Sequence, residues 1–313
     1  MTVIGPILLE STGDERADGA IRRVVAAFEA AFPGRVRGYY VEGSHADRTP
    51  VAASDLDLAV VFRGAVGEDE RSAAAALARE CAARDPVELD AGVLGEADLA
   101  RGATPMFKLA GRCVHGEDIR DRVPLMPLAD WTRDRMHASY WLAVHVFGRP
   151  VPVAPPFDYP DPAGEFYGYD RREVRLADGA PARSTRDLIR VTGWMATALV
   201  ALRAGRYVAR KRDCHVLYRE CIGDEWAPLL AEIYTRCRGE WHCLVPDDPA
   251  DRRRLRALCA RALAFENHFL AQYRPFLLAE LRAGDAARRD RARWVVERVP
   301  LCDDVIAAAA AGG

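Results

Sequence analysis

Apolar residues recur with a helical period near the start of the chain. Between residues 14 and 32 they fall three, four, seven and eleven positions after Ile21, which places them on one stripe of an amphipathic helix. Pro33-Gly34 ends that helix. A second helix, rich in alanine, is predicted from Glu68 to Arg84, where Asp85-Pro86 stops it.

Short apolar runs bounded by turn residues predict β-strands within the first 120 residues. One run is opened by the pair Asp55-Leu56-Asp57 and continues from Leu58 to Phe62. The others cover residues 36–41, 87–94 and 109–115. Strands and helices therefore alternate in this part of the chain.

From residue 184 onward the pattern is helical. Ser184 or Thr185, followed by Asp187, predicts a helix start, and Gly205 predicts the end of that helix. Further helices are predicted at residues 226–234, 252–282 (one long helix or a pair) and 286–298. Residues 307–313 are expected to form a frayed tail.

The stretch between these two parts is the least regular. After a predicted helix at residues 129–146, the prolines between 150 and 162 exclude a helix or a central strand. Acids and aromatic residues are concentrated between 158 and 170. They form either a linker packed by its own rings or a lip that receives a cationic or ring-shaped acceptor.

The composition is that of an ordinary globular protein, and its balanced charge disfavours nucleic acid and membranes as partners. Half of the residues are apolar, and 44 Lys plus Arg stand against 46 Asp plus Glu. Nothing global attracts the chain to nucleic acid or an anionic membrane, and no basic stripe with interleaved aromatics is present. No window has the ~20 apolar residues of a membrane span, and the first residues lack a signal peptide, so we expect a cytoplasmic protein. The cysteines are scattered, which favours free buried thiols over zinc or disulfides.

Candidate chemistry is concentrated between residues 43 and 57. Gly43 lets the backbone approach a ligand, and Ser44 adds a hydroxyl and an N–H, so this turn can present amides to a phosphate. In an extended strand Asp55 and Asp57 project from the same face. Two close carboxylates repel, and a divalent cation such as Mg²⁺ relieves that repulsion. The alternative is that Asp55 ends a turn and Asp57 is a solvated strand residue.

Gly-Ser, a short loop and Asp-x-Asp, set between two apolar strands, resemble the signature of the polymerase-β-type nucleotidyltransferase superfamily. The resemblance implies that Gly43 and Ser44 hold phosphates and that Asp55 and Asp57 bind Mg²⁺. It also implies a third acid on a later strand, which completes the metal site or accepts a proton. Asp90 is favoured because it directly precedes an aliphatic run, and Glu88, on the same strand face, is the competing candidate.

A second stretch is similar to the C-terminal helical domain of aminoglycoside nucleotidyltransferases of the streptomycin/spectinomycin type. It reads Gly205-x-x-Val208-x-x-Lys211, followed by a helix from Trp226. Lys211 matches the lysine that contacts the ATP triphosphate in that family. The neighbouring arginines offer the same charge, and these are Arg206, Arg210 and Arg212.

The second stretch also departs from that family. The arginine that the family carries upstream of the lysine is Ala198 in this chain. Arg186, Arg190 or Arg203 could substitute for it. We take Arg210 together with Lys211 as the predicted cationic contacts to the nucleotide.

The resemblance implies an α+β protein with four parts. Residues 1–120 would form a nucleotidyltransferase domain, a mixed β-sheet flanked by helices. Residues 121–182 would connect it to an all-α helical bundle at 183–285 that clamps nucleotide and substrate, and 286–313 would be a tail. The connecting segment is not explained by the resemblance.

The implied activity is Mg²⁺-dependent transfer of AMP from ATP to a hydroxyl of a small acceptor, such as an aminoglycoside, with release of pyrophosphate. Two alternatives remain open. One is an enzyme of the same fold that acts on protein or tRNA or makes a nucleotide messenger, although the short separation of Asp57 and Asp90 disfavours a messenger synthase. The other is a non-catalytic, antitoxin-like module, which the presence of all three acids disfavours. Neither a membrane nor nucleic acid is an expected partner, and the sequence sets no oligomeric state.

Overall fold

The computed structural model describes residues 6–85, 87–176 and 179–312. The chain divides into two compact units. The first unit comprises Met1–Pro127, Arg175–Ala180 and Val208–Lys211, and the second comprises Leu128–Val174, Pro181–Tyr207 and Arg212–Gly313. The predicted domain boundaries at 120, 182 and 285 stay predictions, because compactness does not say which parts fold independently.

A four-stranded mixed sheet is the centre of the first unit. Its strands are β1 (Val36–Glu42), β2 (Leu56–Phe62), β3 (Leu89–Gly95) and β4 (Arg112–Gly116). Their order is β3-β2-β1-β4, with β2 parallel to β3 and β1 antiparallel to both of its neighbours. The long connection from β2 to β3 contains a helix, as a parallel pair requires.

Helices cover one face of this sheet. They are α1 (Glu15–Ala31) and α3 (Glu68–Arg84), while α2 (Gly43–Ala46) and α4 (Glu96–Leu99) are single turns. Asp14 caps α1 by accepting hydrogen bonds from the amides of Arg16 and Ala17. The apolar stripe of α1, including Ile21 and Phe28, is fully buried against the strands. The amphipathic period predicted this face of the core.

The opposite face carries a smaller core around Tyr40, Val61 and Phe107. Phe107 belongs to a π-helical turn, Met106–Ala110, so the prediction of a strand from residue 109 is wrong at its start. The reason lies at Gly111, where a Cβ would come within 2.6 Å of the carbonyl oxygen of Phe107. The glycine allows the turn to close before β4 begins.

The regular structure of the second unit is mainly helical, and a small ribbon of two short strands, β5 (Glu173–Arg175) and β6 (Pro181–Arg183), lies largely within it. Its α-helices are α5 (Leu128–His145), α6 (Arg186–Ala204), α7 (Cys214–Cys221), α8 (Ala227–Glu232), α9 (Pro249–Leu281), α10 (Ala286–Arg298) and α11 (Asp304–Ala311). A π-helical segment, Ile233–Glu240, follows α8. The α+β class, with a mixed sheet first and a helical part after it, is confirmed.

Two details of the second unit bear on the sequence predictions. Residues 307–311 belong to α11, so the expectation of a frayed tail is wrong there; Asp303 caps this helix, and Ile306 in its first turn is buried. Gly313 lies outside the described residues. In the proline-rich stretch, the ring of Tyr159 stacks on Tyr167 at 4.2 Å, as a linker packed by its own rings would do. The lip interpretation stays a prediction.

Two further findings concern the whole described chain. None of its helices has the length and apolar character needed to cross a bilayer. All eight cysteines are free, and five of them are buried. The expectation of free thiols is confirmed, with Cys302 exposed rather than buried.

Candidate functional site

Three acidic residues stand in line across three neighbouring strands. Asp57 on β2 pairs with Glu42, the last residue of β1, and with Asp90, the second residue of β3. Residues paired in this way project from the same face of a sheet, and neighbouring strands lie about 4.8 Å apart. We call Glu42, Asp57 and Asp90 the carboxylate row.

The apolar pattern of the strands fixes this alignment. Tyr39 pairs with Val60 and Val41 with Leu58, and all four side chains are buried in the core under α1 and α3. A slip of one residue would turn these side chains out of the core, so the register is strongly specified. The row is therefore a consequence of strand packing and does not depend on contacts among the acids.

The predicted Gly-Ser turn is the short helix α2, and it touches the row. Gly43 has a φ of +63°, which favours glycine, and a Cβ at this position would lie 2.5 Å from Oδ2 of Asp57. The amide of Asp47 donates to the carbonyl of Gly43 at 3.1 Å, and that of Thr49 donates to Ser44 at 2.9 Å. Only glycine lets the candidate phosphate-binding turn lie against the central carboxylate.

Asp55 directly precedes β2, so of the two acids in the Asp-x-Asp pair only Asp57 lies within the strand. The amide of Leu56 already pairs with the carbonyl of Glu88 at 2.8 Å, which places Asp55 at the mouth of the parallel pair. Burial raises the pKa of Asp57, and the charges of Asp55 and Asp90 add to that effect while Lys211 opposes it. The carboxylates of the predicted site are thus close enough to act on one another.

Glu42 is the acid that sequence reasoning missed. Burial, and then the charge of Asp57, raise the pKa of Glu42 to about 7. The available signal was a charged residue at the end of an otherwise apolar strand, directly before Gly43. That signal does not show that Glu42 pairs with Asp57, because the sequence does not reveal the register between β1 and β2.

Both predicted cationic residues reach this region from the segment Val208–Lys211, which belongs to the first unit. Lys211 Nζ lies 3.1 Å from Oδ2 of Asp57. Arg210 Nε lies 2.8 Å from Oδ1 of Asp47, whose side chain is buried. The structure therefore groups Lys211 with the acids, although the sequence placed it in the helical domain.

The other sequence candidates lie elsewhere. Glu88 and Asp90 are both exposed, but Glu88 precedes β3, whereas Asp90 is inside the strand and in register with Asp57. Of the arginines offered as substitutes at position 198, Arg203 binds Asp224 at 2.8 Å and Arg190 lies over the ring of Trp194 at 5.7 Å, all within the second unit. These two arginines are engaged in structural contacts.

The donor set suits a hard divalent cation, since every candidate ligand is a carboxylate oxygen. As the side chains stand, however, no three acidic, histidine or cysteine residues of the described chain are gathered closely enough to hold a metal ion. The positive charge at the row is instead the ammonium of Lys211. The fit to Mg²⁺ thus lies in the type of ligand and the backbone register.

Comparison with known proteins adds little to this geometry. No family model and no curated protein matches the chain. A search of solved structures finds similarity to the crystal structure of spectinomycin adenyltransferase AAD(9) from Enterococcus faecialis with ATP and spectinomycin, at 11% sequence identity and a TM-score of 0.49. The match covers 81% of this chain and 99% of that one. Similarity at this level carries no argument about family or function.

Proposed function

We propose that the protein is a Mg²⁺-dependent nucleotidyltransferase that transfers AMP from ATP to a hydroxyl of a small acceptor. The acceptor class, a polyhydroxylated compound such as an aminoglycoside, follows from the resemblance of the Gly205 to Lys211 stretch. The reaction releases pyrophosphate. The proposal places the protein among soluble transferases of the polymerase-β-type superfamily.

One observation carries this proposal. Asp57 and Asp90 pair directly on adjacent parallel strands, and the same Asp57 carboxylate contacts both the Gly43 turn and the Lys211 ammonium. A candidate phosphate-binding turn, two aligned acids and a cation on a flexible side chain are components that phosphoryl chemistry uses. They meet at one end of one sheet.

Each group has a defined task in this mechanism. When bound, Mg²⁺ supplies charge neutralisation on the phosphate oxygens. Asp55 and Asp57 hold the ion, and Asp90 either completes that site or accepts the proton of the acceptor hydroxyl. The backbone amides at Gly43 and Ser44 orient the phosphates. Lys211 leaves Asp57 and places its ammonium beside the departing pyrophosphate, with Arg210 next to it.

The test is pyrophosphate release with Asp57→Asn. Wild-type protein is incubated with each nucleoside triphosphate and Mg²⁺ against a panel of aminoglycosides, a protein extract and tRNA. We expect release with ATP and a small acceptor, and a loss of at least about a thousandfold in Asp57→Asn, because charge stabilisation is the main source of catalysis here. The matched control is Asp69→Asn, an exposed acid in the first turn of α3.

Two results would contradict the proposal. If Asp57→Asn released pyrophosphate at the wild-type rate, Asp57 would have no role in the reaction. Release only with tRNA or protein would replace the small acceptor by a macromolecule.

The third acid is tested separately by Asp90→Asn and Glu88→Gln. Because Asp90 is in register with Asp57 and Glu88 is not part of β3, we expect Asp90→Asn to lose transfer and Glu88→Gln to retain it. The reverse pattern would assign the role to Glu88. Circular dichroism of both variants checks that the fold is kept.

A further inference from the structure

Glu42 occupies a position in the site that the sequence motif does not include. It is the final residue of β1 and lies directly opposite Asp57, which lies opposite Asp90. The Asp-x-Asp motif accounts for the middle of the carboxylate row, and the third acid accounts for one end. Glu42 forms the other end, on the strand that leads into the Gly43 turn.

Two other acids of the first unit, Glu70 and Glu96, are each matched by an arginine, and Glu42 is not. Glu70 and Glu96 receive paired hydrogen bonds from Arg35 and Arg37. Among the described residues, no hydrogen bond or ion pair is formed by the Glu42 carboxylate, although Lys211 and Asp57 act on it electrostatically. A partly buried acid without a dedicated cation costs stability that a neutral side chain would not.

The arrangement around Asp57 supplies a second observation. Like charges directly opposite each other destabilise a sheet, and this row places three of them on adjacent strands. The Lys211 ammonium lies on the central carboxylate, 3.1 Å from Oδ2, so a positive charge is already bound at the row. That side chain is half exposed and sits on a flexible stem, which makes it exchangeable.

We propose that Glu42 is a further cation-binding residue of this site: Asp57 pairs with Lys211 in the nucleotide-free protein, and Glu42 joins Asp57 in holding the divalent cation of the transfer reaction when that cation binds. This inference rests on the proposed function. It adds one negative charge to the acids that the motif provides. Higher ligand charge raises the affinity of a carboxylate site for a divalent cation.

The experiment is a titration of nucleotide-free protein with Mn²⁺, followed by the electron paramagnetic resonance signal of the free ion. Wild type, Glu42→Gln, Asp57→Asn and Glu80→Gln are compared. Glu80 lies on α3 and pairs with Arg84 at the surface, so its variant carries the same chemical change away from the site. We expect Glu42→Gln to weaken Mn²⁺ binding on the order of tenfold or more and Glu80→Gln to leave it unchanged.

The outcomes separate this inference from the proposed function. If wild type and Asp57→Asn bind Mn²⁺ equally poorly, the proposed metal site itself fails. If Asp57→Asn loses affinity and Glu42→Gln keeps it, the metal site stands and the role of Glu42 is overturned.

A second variant at position 42 tests whether the loss of Mn²⁺ affinity comes from the lost charge or from a local change in structure. Glu42→Asp keeps the charge on a shorter side chain, and we expect its affinity to lie between those of wild type and Glu42→Gln. An affinity no better than that of Glu42→Gln would show that charge at position 42 is not what binds the ion. Circular dichroism melts confirm that each variant is folded, which we expect because glutamine preserves volume and removes repulsion.

Discussion

Two regions of the protein hold acidic side chains that are buried or partly buried, and the acids of the two regions meet positive charge differently. In the second unit, Glu266 of α9 is completely buried and lies 2.6 Å from Nη1 of Arg149. In the first unit, three acids stand in line, and the central one, Asp57, pairs with the half-exposed ammonium of Lys211. The second unit therefore pairs one acid, Glu266, with one arginine, whereas the first unit has three aligned acids and one lysine beside them.

The two cations differ in how firmly they are held. Arg149 also donates to the carbonyl of Ala143 at 2.9 Å, and its guanidinium lies 4.3 Å from the ring centre of Phe157. Burial raises the pKa of Glu266, and Arg149 opposes that effect. A cation fixed by core contacts serves the fold. A lysine on a flexible stem can be exchanged, and that property suits a site that binds ions.

The largest effect is expected from breaking the fixed pair. Glu266→Ala leaves the Arg149 guanidinium buried without its counter-charge, and we expect a loss of about 3 to 5 kcal/mol in the free energy of unfolding. Urea denaturation measures it. The loss should not depend on Mg²⁺.

The double variant Arg149→Met/Glu266→Leu is the control for that prediction. Replacing both partners by apolar side chains removes the unpaired charge, so most of the stability should return. A loss below about 1 kcal/mol in Glu266→Ala would mean that the pair is not the structural contact we describe.

An intermediate effect is expected from the pH dependence of the carboxylate row without divalent cations. The folded pKa of Glu42 is about 7, while glutamate in an unfolded chain titrates near 4.3. Between these values the folded chain keeps a proton that the unfolded chain has released, so stability falls as the pH rises, and the loss is complete above about 7. We expect this contribution to be on the order of 2 kcal/mol.

Urea unfolding of wild type and Glu42→Gln at about pH 5 and about pH 8, in the presence of EDTA, measures that contribution. Glutamine does not titrate, so the variant should lose less stability across the interval and should be the more stable protein at the higher pH. Equal slopes for the two proteins would contradict the burial of Glu42 beside Asp57.

The smallest effect is expected from removing the flexible cation. Lys211→Met should lower stability by less than about 1 kcal/mol without Mg²⁺, because the ammonium is half exposed. It should also increase the stabilisation that Mg²⁺ gives, since no ammonium then competes for Oδ2 of Asp57. Thermal melts over a Mg²⁺ series measure both quantities.

Lys108→Met is the matched control, since Lys108 and Lys211 are the two lysines of the chain. The Lys108 ammonium donates to the backbone carbonyl of Arg120 at 2.6 Å. Its removal should change stability without changing the response to Mg²⁺. An identical Mg²⁺ response in both variants would mean that Lys211 does not occupy the cation position.

Local patterns were enough to predict most of the elements. The helix from Glu68 to Arg84 has the predicted bounds, and Gly205 ends α6 with a φ of 62°. The strand expected from residue 109 begins later, because the π-helical turn before it depends on a close backbone contact at Gly111 that composition does not reveal. The helix after Asp303 was missed because a run of alanines without nearby tertiary information resembles a tail.

Local sequence accounts for only part of the candidate site: Asp90, Lys211 and Arg210 were proposed from the family resemblance, and Glu42 was not proposed at all. Gly43, Asp55 and Asp57 are separated by a short loop, so local sequence was sufficient to bring them together. Glu42 and Asp90 join through strand pairing, and Lys211 arrives from a distant segment; these are long-range contacts that depend on register and packing. Whether these residues perform the proposed chemistry stays a prediction until the variants are measured.

The segment Val208–Lys211 belongs to the first unit but is synthesised long after the sheet of that unit. The acids of the row are translated early, while their lysine emerges only after residues 128–207 have been made. Nascent chains begin to fold from the N-terminus while synthesis continues. The ion pair between Lys211 and Asp57 can therefore form only after residue 211 has been made, and a nascent chain that ends earlier has the carboxylate row without that ammonium.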